Sequence, residues 1–147
     1  MATINGKVTK GHDDDAAWDL HATEHAVVSD GFRRVISTGV TLELEPDEVA
    51  LVCSRSGLAA KHGVFVLNAP GVIDAGYKGE VQVILQNLGG HGFDISEGDR
   101  IAQLLILKLP EVAKVSERKV IAKIRGAKGL GSTGISCAPA ACERVVE

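Results

Sequence analysis

An acid and a phenol stand three residues apart in the segment GVIDAGYKGEVQVILQN, residues 71–87. The carboxylate of Asp74 is suited to orient and deprotonate a water molecule, as a general base does. The ring of Tyr77, the only tyrosine of the chain, is suited to pack on a sugar or a base. Aspartate and glycine are also the commonest turn residues, so ordinary turn chemistry is the alternative explanation. We predict that the segment forms a strand hairpin.

A possible anion site lies at RSG, residues 55–57, which opens the helix-forming run SGLAAKHG. We predict a helix of about two turns between a capping serine, Ser56, and a terminating glycine, Gly63. The free N–H groups of its first turn, the hydroxyl of Ser56 and the guanidinium of Arg55 would converge on an anion. Taken alone, a helix cap beside an exposed arginine explains the segment as well.

A glycine-rich run, RGAKGLGSTG, occupies residues 125–134 near the end of the chain. Its glycines let backbone N–H groups approach a phosphate, while Ser132 and Thr133 supply hydroxyls and Arg125 supplies charge. It lacks the Walker pattern, and a flexible tail is the alternative. Two shorter motifs carry single polar residues between apolar neighbours: Asp19 in AAWDLHA and Gln103 in GDRIAQLLI.

Short β-favouring segments separated by Gly, Pro, Asn and Asp must position these groups. They cover residues 27–28, 33–36, 40–44, 49–53, 63–67, 81–85, 101–108 and 120–124. Many short strands at such spacing predict an all-β fold, either a sandwich, a jelly roll or a small barrel.

The composition bounds the class of protein. The chain has 147 residues, 45% of them hydrophobic, which indicates one globular domain. The net charge of −3 argues against nucleic-acid binding through bulk positive charge. The most apolar run, residues 104–109, is too short to cross a membrane. Three cysteines without a C-x-x-C pair, and no visible signal peptide, lead us to expect a cytoplasmic protein.

Five motifs in this order resemble those of the trimeric dUTPase family, the deoxyuridine 5'-triphosphate nucleotidohydrolases. They are D-L-x-A, R-S-G-L-A-x-K-H-G, G-x-I-D-x-x-Y-x-G-E-V, G-D-R-I-A-Q and R-G-x-x-G-x-G-S-T-G. The resemblance implies a jelly-roll-like β domain over residues 1–124, a mobile C-terminal arm over residues 125–147 and a homotrimer with shared active sites. It also implies Mg²⁺-dependent hydrolysis of dUTP to dUMP and pyrophosphate, which keeps uracil out of DNA and supplies dUMP for dTMP synthesis.

The resemblance also implies residue roles. Asp74 matches the aspartate that activates the water attacking the α-phosphorus, and Tyr77 matches the tyrosine that packs on the deoxyribose. Asp19 matches an aspartate near the water shell of Mg²⁺, an ion held mainly by substrate phosphates. The other matches bind substrate: Asn68, Gly71, Val72 and Ile73 at the uracil, Arg55, Ser56, Gly57 and Gln103 at the phosphates, and Arg125, Leu130, Gly131, Ser132 and Thr133 in the arm.

One departure and two alternatives accompany the resemblance. Leu130 stands where the family usually has a phenylalanine that stacks on uracil. The related dCTP deaminases resemble the same fold but need a catalytic glutamate, and the matching position here is Ile84, which cannot move protons. A non-catalytic jelly-roll protein that binds a nucleotide or a regulatory partner is the other alternative.

Overall fold

The computed structural model describes residues 1–111. Over these residues the fold is all-β, with twelve strands and one helix, α1. The elements are β1 (Thr3–Asn5), β2 (Val8–Thr9), β3 (Trp18–His21), β4 (Ala26–Val28), β5 (Arg33–Ser37), β6 (Thr41–Glu43), β7 (Glu48–Cys53), α1 (Ser56–His62), β8 (Val64–Val66), β9 (Gly71–Asp74), β10 (Gln82–Asn87), β11 (Phe93–Ile95) and β12 (Arg100–Lys108). The predicted strand at residues 120–124 lies outside the described residues.

Two sheets form the body of this jelly-roll-like fold. One has the strand order β2-β3-β12-β7-β9, the other has the order β5-β10-β8, and all of these pairs are antiparallel. Two-stranded pairs, β1-β6 and β11-β4, complete the described fold. Burial alternates along β7 and β10, as expected for strands with one face on a core. Leu20, Ile36, Leu85 and Leu104 lie fully buried in that core.

The predicted hairpin at residues 71–87 is wrong, because its two strands do not pair with each other. Strand β9 pairs with β7, placing Asp74 opposite Val49. Strand β10 pairs with β5 and β8 in the other sheet. The connection at residues 75–81 therefore crosses between sheets. Alternating side chains predict that a segment is extended, but they do not identify the strand on which it pairs.

Helix α1 confirms the predicted helix and its end, but not the predicted cap. Arg55 is the N-cap residue, with extended backbone and no side-chain capping bond, so Ser56 is the first helical residue. Gly63 ends the helix at φ 64°, and its N–H donates to Ala59 O at 3.1 Å. This left-handed conformation favours glycine, since it has no Cβ to clash.

The end of α1 is packed closely against the loop after β10. Leu88 N donates to Gly63 O at 3.0 Å, and a Cβ added at Gly89 would overlap His62 O, a backbone atom of the helix. Only glycine therefore lets the loop lie against the helix at this point.

We expect Gly89→Ala to lower the free energy of unfolding by about 2 kcal/mol or more, because backbone on one side of the contact must move. The matched control is Gly92→Ala in the same loop, where the nearest atom to an added Cβ is Val27 Cγ1 at 3.7 Å. We expect that change to stay within about 0.5 kcal/mol. Urea unfolding of both variants measures the difference, and equal losses would contradict the close approach.

Candidate active site

A carboxylate of the five-stranded sheet bridges two arginines. Asp19, on β3, is buried and accepts hydrogen bonds from Arg55 Nε at 3.1 Å and from Arg100 Nη1 at 3.2 Å. Arg55 Nη1 also donates to Arg100 O at 3.0 Å. Two guanidinium groups thus share one carboxylate, so these three side chains carry a net positive charge. Arg55 is held in one orientation, which prepares it to bind an anion at low entropic cost.

Strand register places Gln103 beside this cluster. On β12 it lies opposite Asp19 of β3 and opposite Cys53 of β7. Residues directly opposite in antiparallel strands share a face, so these three side chains form a row on the face that points away from the core. Ala102 and Leu104, the neighbours of Gln103, are fully buried on the other face.

The start of α1 continues the arginine cluster. Ser56 and Gly57 are exposed and directly follow Arg55. The first-turn N–H groups of a helix have no partner within the helix, so they add hydrogen-bond donors beside the guanidinium. Ser54 serves the fold instead, since its Oγ accepts from Val66 N at 2.9 Å.

A tight turn holds the acid and the phenol. Tyr77 N donates to Asp74 O at 3.0 Å, which closes the turn after β9. The Tyr77 hydroxyl donates to Glu80 O at 2.8 Å, so the half-buried side chain is held at its far end as well as at its backbone. Asp74 itself is exposed on the outer face of the sheet.

The residues predicted to contact a base surround the start of β9. A Cβ added at Gly71 would lie 3.2 Å from Asn68 Nδ2, so the Asn68 side chain reaches the backbone of Gly71. Val72 is 63% exposed, whereas Ile73 is half-buried against the core. Gly71, Val72 and Asp74 therefore lie together on strand β9, and Asn68 lies in the loop that leads into it.

The two groups of polar residues lie far apart within one chain. Gln103 faces Cys53 and Asp74 faces Val49, and these two partners are four residues apart on β7. At about 3.3 Å per residue and about 4.8 Å between strands, Gln103 and Asp74 are separated by roughly 13 Å along the strand direction and by about 10 Å, two strand spacings, perpendicular to it. Arg55 and Asp19 lie beyond Gln103. One chain does not place Asp74 and the arginine cluster around a single phosphorus atom.

The dUTPase family model matches residues 6–134, which include both groups. The chain belongs to the dUTPase family. It is 46% identical over 124 residues to the deoxyuridine 5'-triphosphate nucleotidohydrolase of Solibacter usitatus, covering 84% of each chain. The EIAV dUTPase structure superposes with a TM-score of 0.69 at 30% identity, covering 82% of this chain and 100% of that one. A mutant dUTPase from phage phi11 of S. aureus superposes at 0.68 and 25% identity, covering 80% and 97%.

Family membership confirms the predicted resemblance and the jelly-roll-like β fold, and it identifies the chain as a hydrolase. The individual residue roles stay predictions. Those assigned to Arg125, Leu130, Gly131, Ser132 and Thr133, and the arm at residues 125–147, lie outside the described residues. No helix within residues 1–111 is long and apolar enough to cross a membrane.

Arg100 is part of the arginine cluster but was not among the site residues predicted from the sequence. Its place in GDRIAQ, three residues before Gln103, was the available signal. Its ion pair with Asp19, and the hydrogen bond that its carbonyl accepts from Arg55 Nη1, show that it belongs to the cluster.

We expect Asp19→Asn to lower kcat/KM roughly tenfold, mainly through KM, because Arg55 loses the carboxylate that orients it. The free energy of unfolding should fall by about 2 kcal/mol, as for a lost hydrogen bond to a charged group. Asp47→Asn is the matched control, since it removes the exposed ion pair with Lys108 and should cost less than about 0.5 kcal/mol. Unchanged kinetics in Asp19→Asn would contradict the positioning of Arg55.

Proposed function

We propose that the protein hydrolyses dUTP to dUMP and pyrophosphate by attack of water on the α-phosphorus. The observation that carries the proposal is that a dUTPase family model spans the acid–phenol turn and the arginine cluster together. The name of the Solibacter usitatus relative, which states that activity, supports the choice of substrate. The reaction would keep uracil out of DNA and supply dUMP for dTMP synthesis, and we place it in the cytoplasm.

In the proposed reaction Asp74 is the general base. Its carboxylate takes a proton from the attacking water while pyrophosphate leaves in line on the other side of the phosphorus. Tyr77 packs on the deoxyribose, where a ring held by its hydroxyl leaves no room for a 2'-hydroxyl. Asn68, Gly71, Val72 and Ile73 surround the uracil. The support for these roles is the joint placement of these residues at β9 and its two ends.

The arginine cluster is proposed to bind the phosphates. Arg55, Ser56 and Gly57 offer a guanidinium, a hydroxyl and backbone N–H groups, and Gln103 adds an amide beside them. These donors act on the charge that develops on the leaving oxygens in the transition state. Asp19 orients Arg55 and offsets one of the two arginine charges, which keeps phosphate binding reversible.

Magnesium is proposed to enter with the triphosphate. Residues 1–111 contain no group of three or more His, Cys, Asp or Glu side chains that would hold a metal ion. Asp19 is already shared between two arginines, so it fits a contact with a water of Mg²⁺ better than direct coordination. Mg²⁺ keeps several waters and takes phosphate oxygens as ligands, which suits this arrangement. When bound, it would neutralise charge on the leaving pyrophosphate.

A homotrimer with shared active sites is proposed because one chain separates the two groups of residues. Between them, the outer face of the sheet carries an apolar strip. Register aligns Leu105, Leu51 and Val72 in one row and Leu107 and Val49 in the next. Val72 and Leu107 are 63% and 45% exposed, which is costly for large apolar side chains in water. Contact with another subunit would cover this strip and bring its arginine cluster to Asp74.

The C-terminal arm is proposed to complete the site. Arg125, Gly131, Ser132 and Thr133 would close over the triphosphate, and Leu130 would cover the uracil without ring stacking. This division, a β domain over residues 1–124 and an arm over 125–147, rests on the sequence.

Product analysis tests the proposed activity against both alternatives. Pure protein with Mg²⁺ is given dUTP or dCTP, and pyrophosphate and ammonia are measured in parallel. We expect pyrophosphate and dUMP from dUTP and no ammonia from dCTP. Ammonia release would indicate a deaminase, and nucleotide binding without either product would indicate a non-catalytic protein.

A further inference from the structure

The carboxylate of Glu80 is held by two consecutive backbone N–H groups of another loop. Its Oε1 accepts from Thr38 N at 2.9 Å and from Gly39 N at 2.7 Å. Gly39 has φ 66°, a left-handed conformation that occurs in turns whose successive N–H groups enclose an anion. Bonds from N–H to a charged acceptor are among the stronger hydrogen bonds in proteins. Glu80 therefore ties the β9–β10 connection to the turn between β5 and β6.

The main chain of the same residue holds the phenol. The Tyr77 hydroxyl donates to Glu80 O at 2.8 Å, and Tyr77 N donates to Asp74 O at 3.0 Å. The next residue is also fixed, because Val81 N donates to Val40 O at 2.7 Å and Val81 O accepts from the Thr38 hydroxyl. The side chain and the carbonyl of Glu80 thus join a rigid turn to the ring of Tyr77.

We propose that Glu80 is a positioning residue that fixes the Tyr77 ring and thereby sets the preference for deoxyribose over ribose. The proposal rests on the proposed function, in which Tyr77 packs on the sugar. Glu80 itself need not touch the substrate. Its carboxylate fixes the backbone, the backbone carbonyl fixes the phenol, and the ring excludes the 2'-hydroxyl.

The physical reason is that exclusion by shape depends on a wall that does not move. A packing wall rejects a substrate with one added hydroxyl by a factor of only about 10². A ring free to move away from the sugar would admit the ribose and lose much of that factor. A clamp that merely stabilised the fold would instead change dUTP and UTP turnover equally.

The kinetic test compares three variants by the ratio of kcat/KM for dUTP to that for UTP. We expect Glu80→Ala to lower the ratio about tenfold, because both N–H partners are lost. Glu80→Gln keeps an oxygen acceptor of the same reach and should stay within about threefold of the unchanged protein. Asp30→Ala is the matched control, since Asp30 Oδ1 accepts from Gly90 N at 2.9 Å in another pair of loops and should leave the ratio unchanged.

A second readout observes the ring without relying on activity. Tyr77 is the only tyrosine, so protein made with 3-fluorotyrosine has a single ¹⁹F resonance that reports this ring. We expect Glu80→Ala to shift or broaden that resonance, and Glu80→Gln and Asp30→Ala to leave it in place. If Glu80→Ala does not fold, Glu80→Asp replaces it, since its shorter side chain keeps the charge but cannot reach both N–H groups.

Tyr77→Ala separates this inference from the proposed role of Tyr77. If Tyr77→Ala leaves the dUTP/UTP ratio unchanged, the role of Tyr77 in sugar choice is wrong, and with it the effect of Glu80 on sugar preference. If Tyr77→Ala lowers the ratio but Glu80→Ala leaves both the ratio and the ¹⁹F resonance unchanged, Glu80 does not position the ring. Equal loss of dUTP and UTP turnover in Glu80→Ala would show a structural clamp alone and would also overturn the proposal.

Discussion

Asp74→Asn should lower kcat by a factor of roughly 10² to 10⁴, the usual contribution of a general base. Asparagine has nearly the same shape, so the turn closed by Tyr77 N and Asp74 O is kept. Nucleotide affinity should therefore change by less than about threefold. Single-turnover kinetics with dUTP and calorimetry with a non-hydrolysable dUTP analogue measure the two quantities separately.

Asp94→Asn is the matched control for that variant. Asp94 is an exposed aspartate on β11, opposite Val27, and it belongs to neither group of site residues. Its kcat should equal that of the unchanged protein. A normal kcat in Asp74→Asn would remove Asp74 from the role of base, whereas a loss of nucleotide affinity equal to the loss of turnover would make it a binding residue.

Mixing two inactive variants should restore activity if each active site is shared between chains. We expect Asp74→Asn and Arg55→Ala each to be nearly inactive, because each lacks one of the two groups that a single chain holds apart. A mixed trimer has one site that combines an intact Asp74 with an intact Arg55 from its neighbour. Random mixing of equal amounts makes about three quarters of the trimers mixed, so activity should recover to about a quarter of the unchanged protein.

The mixing experiment needs evidence that the chains have exchanged. A mass tag on one variant lets native mass spectrometry count mixed trimers, and each variant alone is taken through the same unfolding and refolding as a control. Confirmed mixed trimers without activity would mean that each site is built within one chain. A fully active monomer would contradict both the trimer and the shared site.

Local signals in the sequence predicted much of the fold. Seven of the eight predicted strand segments coincide with strands among the described residues, and the helix ends at Gly63 as expected. The short strands β1, β2, β3 and β11 were not predicted, because two to four residues are too few to show an alternating pattern. The helix cap was predicted at Ser56, but Arg55 takes the cap position, and it does so without any side-chain capping bond.

By itself the sequence determined the fold class and the family and predicted a set of candidate site residues, because composition, alternation and motif spacing are properties of neighbouring positions. Only the tertiary structure decided which strands pair. That pairing places Asp74 on the same sheet face as Gln103 but far from it. The ion pairs of Asp19 and the hold of Glu80 on Thr38 and Gly39 were equally undetermined. Such contacts join positions 36 to 81 residues apart, and their partners are chosen by the packing of the whole domain and not by local preference.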